Sequence, residues 1–135
     1  MRSQQEIIQD FELFDDWMEK YQYIIDLGKE LPKLDEKYKT DANKLQGCQS
    51  QVWITHNIKD GKIFFQAESD AAIVSGLVAL VLSIYSGKTA EEIIATKPEF
   101  IAQIGLDKHL SPTRSNGLSS LLNKIQAIAQ KETLA

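Results

Sequence analysis

Cysteine is nearly absent from this 135-residue chain: Cys48 stands alone. One thiol excludes a disulfide within the chain, a CxxC redox pair and any all-thiolate zinc site. Proline is scarce too, and Pro32, Pro98 and Pro112 fall at plausible element borders. No linker, repeat or low-complexity tract interrupts the sequence, which reads as one domain over 1–135. Lys and Arg number 15 against 19 Asp and Glu, a net charge of −4. That balance lacks the basic excess of a chain built to hold nucleic acid. The most apolar stretch, 71–86, is bounded by Asp70 and Lys88 and falls short of the ~20 residues that span a bilayer. Acidic and apolar residues mix from Glu6 onward, so no basic-then-apolar signal is expected and the location is predicted to be cytoplasmic. GxGxxG, Walker and HExxH patterns are missing, which leaves nucleotide binding and zincin chemistry without support.

What is present, 43% hydrophobic and 25% charged residues, is the makeup of one globular domain with a single core. Ser3-Gln4-Gln5-Glu6 has the form of a capping box and predicts a short helix to about Leu13. Asp15 or Asp16 can cap a second helix whose Trp17, Tyr21, Ile24 and Ile25 share one face, with Gly28 as its stop. The charged stretch from Lys29 to Lys44 reads as loop with a solvated surface. Val52–Ile58 and Lys62–Glu68 flank Asp60-Gly61, a dipeptide suited to a type I′ hairpin turn. A two-residue turn there pairs Val52 with Ser69, Ile54 with Ala67, His56 with Phe65 and Ile58 with Ile63. Val52, Ile54, Ile58, Ile63, Phe65 and Ala67 then make one apolar face. Two strands alone are marginal, so a third strand before Cys48 or a covering helix is expected.

Ser69-Asp70 can cap a buried helix over 71–86 that ends at Gly87. Thr89-Ala90-Glu91-Glu92 is a second capping box, Pro98 suits the first position of a helix before Gly105, and Ser111-Pro112 can open the last helix. Leu118, Leu121, Leu122, Ile125, Ile128 and Ala129 form its stripe. The order α-α-β-β-α-α-α predicts an α+β fold, a small antiparallel sheet packed against helices.

A lone cysteine is commonly a small buried hydrophobe. Cys48, however, sits in Gln46-Gly47-Cys48-Gln49-Ser50-Gln51, among glycine and uncharged polar residues, a setting for a thiol at a loop tip. The hairpin register brings this loop to the sheet end where Ser69-Asp70 starts the buried helix. The amide-rich end of that helix would favour thiolate. Asp70 would oppose it unless a cation such as Arg114 intervened; the plainer alternatives are an N-cap for Asp70 and a surface arginine for Arg114. His56 and His109 are the available bases for a Cys-His pair, but no third residue to orient either is evident. With Cys48 they show no metal-ligand spacing.

Gly47-Cys48-Gln49-Ser50-Gln51-Val52-Trp53 resembles the cysteine motif of the SufE family, sulfur acceptors for cysteine desulfurases. Three further segments agree in order: Trp17 to Tyr21 with Leu27-Gly28, Ser69 to Val74 with Gly76-Leu77, and Leu110 to Leu118. Gln49-Ser50-Gln51 and Ser69-Asp70-Ala71 are closer to SufE than to its CsdE-type relative. The resemblance implies a fold like that of IscU-type scaffolds, though one cysteine excludes the scaffold's own function. It implies that Cys48 takes persulfide sulfur from a SufS-type desulfurase, stimulates that enzyme, and passes sulfur to a SufBCD-type scaffold for iron–sulfur cluster assembly. Pyridoxal phosphate would belong to the desulfurase; the chain would need no cofactor, metal, membrane or nucleic acid, and would not be a stand-alone enzyme. Gly47, Gln49, Ser50, Gln51, Asp70, Arg114 and Asn116 become candidates for shaping the cysteine loop and the partner contact. A non-covalent activator of a desulfurase is the alternative function, and a homodimer remains open. A persulfide is easily lost to reductants and oxidants, so the loop is expected to shelter Cys48 until a partner binds.

Overall fold

Asp60-Gly61 sets the sheet. Both residues have positive φ, 55° and 76°, as the two central residues of a type I′ turn require. The turn joins β1 (Val52–Lys59) to β2 (Lys62–Ser69) in the expected antiparallel register, Val52 opposite Ser69 through Ile58 opposite Ile63. The computed structural model describes residues 3–46 and 50–133. Among them the sheet has two strands. Instead of a third strand, single bridges extend each edge: Leu45 donates its N–H to the Val52 carbonyl at 2.7 Å, and Ile63 donates to Lys88 at 2.9 Å. Five of the six apolar-face residues are buried, but Ile58 is 48% exposed, although its cross-strand partner Ile63, bridged to Lys88, is buried.

The covering element is α3 (Ala72–Tyr85), buried along most of its length. It packs on β2 on one side and on α2 (Trp17–Glu30) on another. α2 starts at Asp16, whose carboxylate accepts from Glu19 N–H at 2.9 Å, but it runs two residues past Gly28. Gly28 is therefore not the stop. A Cβ there would lie 2.6 Å from the Gly76 backbone nitrogen, and one on Gly76 would lie 2.0 Å from the Ile24 carbonyl oxygen. The two glycines let α2 and α3 cross backbone to backbone.

α1 (Gln4–Glu12) has the full capping box from Ser3 and Glu6. It is locked to α5 (Phe100–Ile104) by the Gln4 amide, which donates to Lys97 O at 3.1 Å and accepts from Phe100 N–H at 2.8 Å. The second capping box opens α4 (Ala90–Ala95). There the Thr89 N–H and hydroxyl hold the Glu92 carboxyl below its ordinary range. α5 begins two residues after Pro98, so that proline precedes the helix rather than occupying its first position. Gly105, with φ 95°, ends α5 and leads directly into α6 (Leu106–His109), a turn the sequence pattern did not suggest. α7 (Pro112–Thr133) buries its whole predicted stripe and is tied to α4 by Gln126, whose amide donates to Ile93 O.

Residues 31–45 form a strap with two 3-10 turns, Glu36–Tyr38 and Asp41–Asn43. Its charges are not all solvated. Glu68 on β2 accepts from Leu34 N–H at 2.8 Å and from the Lys39 ammonium at 2.6 Å. The Lys39 hydrogen bond holds the Glu68 carboxyl below its ordinary range, and Glu68 followed by Glu36 raises the Lys39 ammonium.

Candidate functional site

Past the Leu45–Val52 hydrogen bond the strap leads into Gln46, and the chain is next described at Ser50. Gly47, Cys48 and Gln49, the core of the predicted motif, lie outside the described residues. The flanks are well held. Leu45 is buried. On the other side, Gln51 donates its N–H to Asp70 Oδ1 at 3.1 Å, and Asp70 donates its own N–H to Gln51 O at 3.3 Å. This reciprocal pair extends the strand register by one step. It also corrects the reading of Asp70 as a helix cap: the cap residue of α3 is Ala71, with no side-chain cap bond, because the Asp70 carboxylate is turned to Gln51. Ser69 Oγ instead accepts from Ala71 N–H at 3.3 Å.

Beside Ser50 lies a cavity of about 250 Å³. Leu45, Ser50 and Val52 form one wall, Val74, Leu77 and Val78 of α3 a second. The third comes from α7 and its approach: Ser111, Thr113, Arg114, Gly117, Leu118 and Leu121. Spacings of three and four residues put each helical set on one face. The wall mixes aliphatic side chains with Ser50, Ser111, Thr113 and the exposed Arg114, and the surface it presents is about as polar as apolar. Two helices begin here. Val74 lies in the first turn of α3, and Thr113 and Arg114 lie in the first turn of α7. Ser111 Oγ accepts from Arg114 N–H at 3.3 Å, as a capping serine does. First-turn amides have no intrahelical acceptors, so a helix start is partly positive. An anionic sulfur in such a space is favoured over one in an apolar pocket alone.

The structure thus brings Ser50, Arg114 and the start of α3 to one cavity, with Gln51 and Asp70 bracing its edge. Asn116 is exposed and does not line it. Neither histidine lines it. The His109 ring stacks on Trp17 with centroids 3.9 Å apart and planes 19° apart, and the Tyr21 hydroxyl donates to the His109 carbonyl. His56 lies 3.9 Å from Glu132 in a separate groove. Among the described residues, no group of His, Cys, Asp and Glu is arranged to hold a metal ion, and no helix is long and apolar enough to cross a membrane. Residue patterns alone had not singled out Leu45, Val78 or Leu121 as cavity wall. Their periodicity signals burial, and a residue facing a void and one facing a neighbour look the same in a helical stripe.

The family model SufE, described as an Fe–S metabolism associated domain, matches residues 5–129. A solution structure of a hypothetical protein from Thermus thermophilus superposes with a TM-score of 0.80 at 18% identity, covering 98% of this chain and 96% of that one; it shows the shared fold. An uncharacterized SufE-like protein of Rhizobium meliloti is 47% identical over 135 residues, 96% of each chain. One from Rhizobium etli is also 47% identical, over all of this chain and 95% of its own. A third, from Synechocystis, is 40% identical over 91% of this chain and 77% of its own. With the family model spanning nearly the whole chain and relatives this similar along their lengths, the chain belongs to the SufE family, whose domain is associated with Fe–S metabolism.

Proposed function

We propose that Cys48 is a sulfur-accepting thiol, loaded by a SufS-type cysteine desulfurase and unloaded to a SufBCD-type scaffold. The Cys48 thiolate attacks the outer sulfur of the desulfurase's cysteine persulfide. A new S–S bond forms to Cys48 as the enzyme's S–S bond breaks. The desulfurase cysteine leaves as thiolate, and the terminal sulfur, now on Cys48, keeps its proton. No net oxidant is consumed, as in any thiol–disulfide exchange. Drawing sulfur away frees the enzyme's cysteine for another turnover, which accounts for stimulation.

The observation that carries this reading is the cavity beside Ser50, two positions from Cys48, with a mixed aliphatic and polar wall, the starts of two helices and Arg114. A free thiol with a pKa of ~8.5 is only a few per cent ionised at neutral pH, so a partly positive surrounding raises the reactive fraction. No imidazole lines the space, which favours direct thiolate attack over a Cys-His hydrolase.

Incubation with desulfurase, pyridoxal phosphate and L-cysteine, followed by mass spectrometry, should show one added sulfur on Cys48. Cys48→Ser should accept none and should lose stimulation of desulfurase turnover. A Cys48→Ser protein that stimulates fully would instead make the domain a non-covalent activator.

A further inference from the structure

We propose a second binding site on this chain, a basic groove between β1 and the C-terminal half of α7, which takes a small polyvalent oxyanion. The groove encloses about 320 Å³ and shares no lining residue with the cavity beside Ser50. Both lie along the same seam. Val52 faces the cavity while Ile54 and His56 face the groove; on α7 the change comes between Leu121 and Lys124. Leu121 and Lys124 are only about 4.5 Å apart along the helix axis, so the two are neighbouring spaces with no lining residue in common.

Lys124, Ala127, Ile128, Lys131 and Glu132 all line the groove. Their offsets of three, four, seven and eight place them on one face of α7. Lys124 and Lys131 stand two turns, about 10 Å, apart and flank a floor made by Ala127 and Ile128. Both lysines are exposed, and among the described residues neither forms an ion pair. Among the described residues the groove's one carboxylate, Glu132, faces His56 at 3.9 Å. Lys124, Lys131 and Glu132 from α7 and His56 from β1 are the titratable groups lining it; the 3-10 turn Asp41–Asn43 contributes Ala42 and Asn43. The local charge is therefore positive, and more so with His56 protonated, on a chain whose net charge is −4.

A cation at Lys131 is expected from its place in the last turn of α7, where it meets the negative end of the helix dipole. That account does not reach Lys124, two turns earlier. Two exposed ammonium groups, with Glu132 as the opposing charge among the described residues, leave a net positive field over a concave, partly apolar floor. Flexible lysine stems can close on a ligand carrying two or more negative charges. The volume suits an anion of the size of pyrophosphate or a tricarboxylate.

The chain has two histidines, one in this groove and the other stacked on Trp17, which gives an internal control. Titration of the full chain with pyrophosphate, and separately with citrate, should move the His56 ring resonances saturably and leave those of His109 in place. Tighter saturation by pyrophosphate identifies a phosphoryl source for the ligand, and tighter saturation by citrate a carboxylate source. The combined variant Lys124→Gln, Lys131→Gln should weaken binding at least about tenfold, because the two charges that draw the anion are gone. Its melting temperature should fall by at most a few degrees, since Lys124 is exposed and Lys131 gives up only its contact with the helix dipole. The proposal is overturned if sodium chloride at equal ionic strength reproduces the shifts, if both histidines move alike, or if the double variant binds as tightly as the parent.

Discussion

On the face of α3 that carries Gly76, α2 comes so near that an added Cβ would lie 2.0 Å from the Ile24 carbonyl oxygen. On the face that carries Val74, Leu77 and Val78, the same helix stands off from α7 across about 250 Å³ of open space. The difference follows from side-chain size at the crossing. Where two glycines meet, backbones close to contact and the interface has no slack. Where Val74, Leu77 and Val78 face Ser111 and the first turns of α7, a cavity remains. One helix thus carries a close joint on one side and a cavity on the other, and substitutions on its two faces should have different consequences.

The largest effect is expected at the joint. Gly76→Ala must push backbone from backbone and should cost about 3 kcal/mol, lowering the melting temperature by roughly 10 °C. A thermal melt within a degree or two of the parent would break the comparison. On the cavity face, Val74→Phe fills existing space, so its stability cost should stay under about 1.5 kcal/mol. Misplacing the reacting atoms should still slow sulfur loading of Cys48 about tenfold. Urea unfolding and the mass-spectrometric loading assay, run on the same variant, separate the two.

Smaller effects are expected at the cavity's edge. Asp70→Ala removes the acceptor for Gln51 N–H and, at this exposed position, should cost about 1 kcal/mol. It should also speed alkylation of Cys48 by a bulky reagent if the brace contributes to sheltering the thiol. Unchanged alkylation would confine Asp70 to a strand-end hydrogen bond. The smallest effect concerns the strap. The Glu68 carboxyl is held below its ordinary value of 4.5 by Lys39. Its contribution to stability is therefore present above the unfolded pKa and fades as pH falls through the lower folded value. The stability gap between the parent and Glu68→Gln should be constant near neutrality and shrink below about pH 4.5. A gap independent of pH in acid would show that neither Lys39 nor the Leu34 N–H favours the charged carboxyl.

Much of the fold was legible in local chemistry. Asp60-Gly61 dictates the turn and with it every strand pair, because a two-residue loop fixes the register, and the side-chain period of two then puts Val52, Ile54, Phe65 and Ala67 inward. Ser3 with Glu6 and Thr89 with Glu92 announce their helices through bonds made within four residues. The α7 stripe follows from helical periodicity. Errors arose where one residue has two local uses. Gly28 suits a helix stop as well as a close crossing, and only Gly76, far along the chain, decides between them. Asp70 suits an N-cap as well as a brace, and Gln51, brought opposite by the hairpin, takes its carboxylate. Lys39 read as one more solvated charge because Glu68 is distant in sequence.

Composition and short-range pattern were enough to show a single thiol, in a polar loop just before a hairpin of legible register, with flanks that resemble those of the SufE family. Those are properties of composition and of neighbours within a few residues. What surrounds that loop came from the packing of distant elements: a cavity with two helix starts and Arg114 beside Ser50, and a groove lined by Lys124 and Lys131 farther along α7. Cavities are the places where packing stops, and that depends on distances between elements that no local pattern encodes.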